Sequence, residues 1–235
     1  MRPSRCPIER GLVIGYLTGM TMIQNQLMRQ LYGHDIWDNF VPRGPAQEVQ
    51  GWNGNHPSLG RIAQQASGEV LVVDVGVWKG QSTINMALAM KQREINGCVI
   101  AVDTFLGSPE HWDWNRGLFE RKNGLPDLYL TFLENVHYAG VADYIIPMPQ
   151  TSVTAALILQ RAGLQATIAH IDAAHEYEEV LRDAQEYWKI LKPGGYMIGD
   201  DYDKSWPGVI QAAGEFSAMH KAPLAIELPK WIIQK

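Results

Sequence analysis

At 235 residues the chain has the length of one α/β domain with an N-terminal extension, enough to bury about 70% of its unfolded surface without disulfides or a structural metal. A net charge of −5 and a pI near 5.8 exclude a broad nucleic-acid or anionic-membrane face. Cys6 and Cys98 stand far apart in unlike settings, which predicts reduced thiols, a cytoplasmic protein and no disulfide framework.

The first apolar region, Gly11 to Ile23, is too short to span a bilayer. Arg2, Arg5 and Arg10 precede it in the manner of a signal peptide, but no small-residue cleavage site follows. Leu12, Tyr16, Met20, Ile23, Leu27 and Leu31 recur near helical spacing, predicting an amphipathic helix over 8–32 whose stripe needs covering. The expected cover is the core, the active-site mouth or a second subunit, so a homo-oligomer through this helix is one expectation. Residues 33–55 form a polar connector with Trp37, Phe40 and Trp52, to be read as an anchored arm or as a lid. Residues 1–56 make the extension and 57–235 the main domain, which Pro57 opens with a short helix to Ala66.

Val70 to Asp74 is an apolar run ending in an acid, the pattern of a buried parallel strand. Gly76 and Gly80 then bracket a turn through Val77 and Trp78, and Ser82 is expected to cap the helix that runs to Lys91. Strand, glycine turn and helix N-terminus make a cradle for a nucleotide-sized ligand. Its spacing, Asp-x-Gly-x-x-x-Gly, is not that of the dinucleotide fingerprint. An acid before the turn suits an amine-bearing ligand. A second apolar run, Cys98 to Asp103, again ends in an acid, placed where a carboxylate reaches ribose hydroxyls. Thr104 follows, and the loop to Trp114 combines tryptophans with Glu110, His111 and Asp113, as either a pocket wall or a self-packed surface loop.

Further on, the pattern predicts a helix over 126–139, a short strand from Tyr144 to Pro147, and a loop through Gln150 and Thr151 into a helix over 152–162 capped by Ser152. A fourth strand ends at Asp172, a helix covers 176–190, and a fifth strand ends in Asp200 and Asp201. A helix over 209–220 and two short antiparallel strands around Pro229 close the chain. Alternating strands and helices predict a doubly wound, mostly parallel Rossmann-like sheet with helices on both faces.

Asp74, Asp103, Asp172 and Asp200–Asp201 all fall at carboxyl ends of strands, where such sheets bind ligands. If strands four and five are neighbours, Asp172, Asp200 and Asp201 converge, with only Lys204 nearby to balance them. Three such carboxylates would raise one another's pKa, and a hard divalent cation, Mg²⁺ or Mn²⁺, would relieve the repulsion. His175, where strand gives way to helix, is a candidate base or a surface residue. His170, inside the strand, reads as a packed core histidine.

The Asp74–Gly80 block resembles the first motif of class I S-adenosylmethionine-dependent methyltransferases. Asp172-x-x-His175 together with Asp200–Asp201 resembles the macrocin-type metal-dependent sugar O-methyltransferases. The resemblance extends from residue 70 to about 204. It implies S-adenosylmethionine held by Asp74, Gly76, Val77, Trp78, Gly80 and Ser82 at the methionine end and by Asp103 and Thr104 at the ribose. Gln150, Thr151 and Ser152 would flank the adenine, where many relatives carry an acid that this chain lacks, and Asp172 would also be among the residues that bind the cofactor. It further implies Mg²⁺ on Asp172, Asp200 and Asp201, His175 as base, Asp172 as a catalytic group, and a small-molecule acceptor, a sugar or glycosylated natural product. Two other readings stay open: a metal-dependent hydroxylase or hydrolase on a similar sheet, and a non-catalytic nucleotide-binding subunit. Neither a nucleic acid nor a membrane is an expected partner.

Overall fold

The computed structural model of the chain describes residues 21–44, 49, 51–113 and 117–235. Leu12, Tyr16, Met20 and Trp114, read above as part of a helical stripe and of a loop, lie outside them. Seven strands form the main sheet: β1 (Val70–Val75), β2 (Gly97–Asp103), β5 (Ile145–Pro149), β6 (Ala166–Ile171), β7 (Leu191–Gly199), β8 (Leu224–Glu227) and β9 (Lys230–Gln234). A separate small hairpin joins β3 (Arg121–Lys122) to β4 (Leu125–Pro126). The helices are α1 (Met22–Tyr32), α2 (Pro57–Gln65), α3 (Gln81–Lys91), α4 (Leu128–Tyr138), α5 (Ser152–Arg161), α6 (Tyr177–Ile190) and α7 (Pro207–His220).

The strand order is β5-β2-β1-β6-β7-β9-β8. The pairs up to β7 are parallel, and β9 runs antiparallel to both of its neighbours. Every residue of β1 is buried, as a strand covered on both faces requires. The two-residue period sorts its side chains into opposite layers. Val70 and Val72 pack with α2, α3 and α4, whereas Leu71, Val73 and Val75 pack with α1, α5, α6 and α7. The doubly wound architecture read from the sequence is therefore the one observed. The order reverses at β1, which has β2 on one side and β6 on the other, so the crevice at the carboxyl ends of β1 and β6 is the topological switch point.

The described part of the N-terminal stripe is covered by the chain's own sheet. Leu27 and Met28 are buried, Ile23 and Leu31 pack beside them, and the Tyr32 hydroxyl donates to the Pro147 carbonyl at 2.7 Å. α1 contributes nothing to the cavity described below, so it does not cover the active-site mouth. Two helix caps differ from expectation. Thr151, not Ser152, caps α5, its hydroxyl accepting from the Thr154 amide. Gly80 holds the cap position of α3 with φ at 99°, while the Ser82 hydroxyl donates instead to Asp74 at 2.8 Å. The Asp74 carboxylate is fully buried and needs donors in place of water, which draws that hydroxyl away from the helix end.

Candidate active site

A cavity of about 700 Å³ opens over the carboxyl ends of β1, β2, β5 and β6, a size suited to a nucleotide-like ligand with an acceptor beside it. Its floor is the turn after β1. Gly76 has φ at 84°, and a Cβ there would stand 1.9 Å from the Asp172 carbonyl oxygen. Glycine is therefore demanded by the adjoining β6 backbone, as well as by any ligand that approaches the turn.

Asp103 closes β2. One of its carboxylate oxygens accepts from the Trp78 amide at 2.8 Å and the other from the Phe105 amide at 2.7 Å. Burial raises its pKa above the ordinary aspartate value, against the pull of those amides. Trp78 and Phe105 both adopt positive φ, 52° and 56°. Two non-glycine residues in that region, clamped by one carboxylate, are strain of the kind that collects at binding sites. Thr104, Gln150, Thr151 and Ser152 line the next stretch of wall. Trp78 is nearly buried, yet its indole Nε1 has no hydrogen-bond partner among the described residues, and neither has Gln81 Oε1. Both residues line the cavity, and polar atoms left unpaired at a pocket wall fit a ligand that supplies the partners.

Asp74 and Gly80 are the two expected cofactor residues that do not reach the cavity. Asp74 is fully buried, its carboxylate taken by Ser82, Thr83 and the Nδ1 of His170, the last at 2.6 Å. Burial alone would raise its pKa, but His170, Thr83 and Ser82 outweigh that and hold it below the usual range. It braces the turn from beneath, and its carboxylate is not part of the cavity wall. Gly80 faces the Phe132 ring.

The acid cluster converges as two overlapping groups, for Asp172 presents a ligand-capable atom within 4.8 Å of those of His170 and Asp200 as well. β6 and β7 are neighbours, and Asp172, His175 and Asp201 present ligand-capable atoms within 4.8 Å of one another. All three line the cavity. Burial, followed by the charges of Asp200 and Asp201, raises Asp172 well above the normal aspartate value, with Lys230 opposing. His175 Nε2 lies 2.8 Å from Asp201, and its ring stacks on Trp206 at a centroid distance of 4.2 Å. Burial would lower the His175 pKa, but the Asp201 hydrogen bond and charge, with Glu110 and Glu176 beyond, raise it above 6.5.

Asp200 turns away from the cavity wall. Only 4% exposed, it accepts from the Lys230 ammonium at 2.5 Å and, on its other oxygen, from the Asp201 amide at 2.7 Å. Lys230, with no exposed surface, reaches on to His170 Nε2 at 3.0 Å. The imidazole tautomer with its proton on Nδ1 satisfies both neighbours, donating to Asp74 and accepting from Lys230. The counter-charge assigned to Lys204 thus comes from Lys230, on the last strand. A lone lysine opening the apolar run Trp231–Ile233 was the available signal. The core reading of His170 holds.

The connector and the following loop complete the mouth. Trp37 and Phe40 pack on the body of the fold, with Trp37 Nε1 donating to the Ile145 carbonyl at 2.9 Å. Trp52, 47% exposed, stacks on His111, which in turn meets Trp78 at 4.2 Å. Gly51–Gly54 and Gly107–His111 both contribute to the cavity wall, so the connector is an anchored arm for its first half and pocket wall at Trp52.

This sheet order, with β9 alone reversed, is that of the class I S-adenosylmethionine-dependent methyltransferases, and the glycine turn and Asp103 lie in the crevice at its topological switch point, where such sheets bind ligands. The chain belongs to the methyltransferase-domain family, whose profile matches residues 73–202, more than half of its length. Among solved structures it is similar to the O-methyltransferase NovP, at 21% identity over 76% of this chain and 79% of that one, with a TM-score of 0.56. It is also similar to CalS11, a TDP-rhamnose 3′-O-methyltransferase of calicheamicin biosynthesis, at 18% identity over 75% and 76% of the two chains, with a TM-score of 0.53. An O-methyltransferase from Bacillus cereus in complex with S-adenosylhomocysteine matches at 15% identity over 92% and 98%, also at 0.53. At these identities the likeness is one of fold. Comparison with curated protein sequences gives no match. Among the described residues no helix is long and apolar enough to cross a membrane.

Proposed function

We propose that this methyltransferase acts on oxygen, transferring the methyl group of S-adenosylmethionine to a hydroxyl of a sugar or glycosylated small molecule. The observation that carries the reading is the placement of Asp172, His175 and Asp201 together on the cavity wall, beside the Gly76–Trp78 turn. In the transfer, the acceptor oxygen forms a bond to the methyl carbon as the bond to the sulfonium breaks. The hydroxyl proton has to leave. With Nε2 held by Asp201, Nδ1 is the nitrogen of His175 left to take it, and the Trp206 ring fixes the imidazole plane. The exposed face of Trp52 suits the apolar face of a sugar ring, and Glu110 on the same wall suits its hydroxyls.

The donor set fits a divalent cation. Asp172 and Asp201 would supply carboxylate oxygens, and a positive ion between them would offset the burial and the neighbouring carboxylate charges that raise Asp172. When bound, such an ion would lower the pKa of an acceptor hydroxyl and favour its alignment. The names of NovP and CalS11 support oxygen as the acceptor atom, and that of CalS11 a deoxysugar. A hydrolase would have no use for Asp103 at the ribose position, nor a non-catalytic subunit for a His175–Asp201 pair facing the cavity.

The test is methyl incorporation from labelled S-adenosylmethionine into a panel of nucleotide-linked deoxysugars, glycosides and catechols, followed by mass spectrometry, with Mg²⁺ and with EDTA. Methylation of a sugar hydroxyl, lost in EDTA, is expected. Transfer to nitrogen, or to a catechol alone, overturns the reading.

A further inference from the structure

The chain carries a fixed cation of its own at the acid cluster. Lys230, Asp200, His170 and Asp74 form one hydrogen-bonded series across β9, β7, β6 and β1, all at most 4% exposed. A buried ammonium survives only if its charge and donors are matched. Here an Asp200 oxygen and His170 Nε2 match it, at 2.5 Å and 3.0 Å. The other Asp200 oxygen accepts the amide of Asp201, which holds a left-handed φ of 59°. That backbone bond sends the Asp201 side chain outward, to His175 and the cavity, while its neighbour points in.

We infer that Lys230 is a positioning residue that keeps Asp200 out of the cation's coordination sphere, so that the adjacent acids Asp200 and Asp201 divide their work. Asp201, with Asp172, binds the cation, whereas Asp200 binds Lys230. The inference rests on the proposed cation site and alters its ligand set. Lys230 sets the net charge facing the cation and tunes how tightly it binds. A merely structural lysine would stabilise the fold and leave ion affinity alone.

The test is Mn²⁺ affinity of the full chain, read by electron paramagnetic resonance. S-adenosylhomocysteine calorimetry and circular dichroism on every variant show that it has folded. The decisive variant is the double replacement Lys230→Met with Asp200→Asn, which removes the pair without changing net charge and keeps an oxygen for the Asp201 amide. It should bind Mn²⁺ within about 10-fold of the unaltered protein, whereas Asp172→Asn or Asp201→Asn should lose about 100-fold or more, beyond the range of outer residues. Lys230→Met alone, or Lys230→Gln if Met does not fold, frees Asp200 and should tighten Mn²⁺ by about 10-fold. If the folded double variant loses Mn²⁺ as completely as Asp201→Asn, Asp200 is a ligand and the inference is wrong, while the cation site stands. If the unaltered chain binds no Mn²⁺, the proposed cation fails. The inference, which needs that site, is then overturned with it.

Discussion

His175 and Asp201 meet across the mouth of the cavity, Nε2 to Oδ2 at 2.8 Å, although one residue follows β6 and the other β7. The pairing fixes one imidazole nitrogen and raises the affinity of the ring for a proton. The active base is the neutral ring, so activity falls as pH drops through the His175 pKa, and that limb lies above the ordinary value of 6.5. His175→Ala should lower kcat by about 10²–10⁴-fold and abolish the limb. Asp201→Asn should move the limb to lower pH. A pH–rate profile of each variant on an accepted sugar checks this, and an unchanged limb in His175→Ala removes the histidine from catalysis.

Asp183, buried in α6, has its pKa raised from 3.8 to about 6 by burial, with Ser152 and Arg182 pulling the other way. Below both values the group is protonated in folded and unfolded chains alike and has no effect. Between about pH 4 and 6 the unfolded chain ionises first, so stability is lost as pH rises, by at most about 3 kcal/mol above that window. Asp183→Asn should therefore melt higher than the unaltered protein at pH 7.5, with the advantage vanishing near pH 4. Thermal scans across that range would show it. A constant difference would mean that Asp183 does not titrate as its burial requires.

Gly76→Ala places a methyl group against the Asp172 carbonyl and a side chain at positive φ. The conformation costs about 1–2 kcal/mol and the overlap about 1–3 more. Gly163→Ala is the control, since Gly163 has φ at 69° but open space around it, so only the first of those two costs applies. Urea unfolding should rank them, and Gly76→Ala alone should lose S-adenosylhomocysteine binding. Equal stability in the two variants would contradict the close approach of β1 and β6.

The sheet was legible because period and punctuation agreed: apolar runs ending in acids, each followed by a helix, admit few topologies. Asp103, Asp172 and His175 were legible for the same reason, the first closing β2 and the other two following the end of β6. Which way an acid points was not legible. Asp74 and Asp200 also end strands, yet both turn inward to His170 and Lys230, and those partners lie 96 and 30 residues away along the chain. Pairing at that distance leaves no local trace. Ser82 and Ser152 looked like caps because their type fits, but a buried acid beside one and Thr151 beside the other decided the outcome.

The most direct test of the account is calorimetric titration with S-adenosylhomocysteine of the unaltered chain and of Asp103→Asn. The account predicts one site per chain, and a loss of about 1.5–3 kcal/mol in the variant, the worth of hydrogen bonds to a charged group. No binding to the unaltered chain, or equal binding to both, would contradict it.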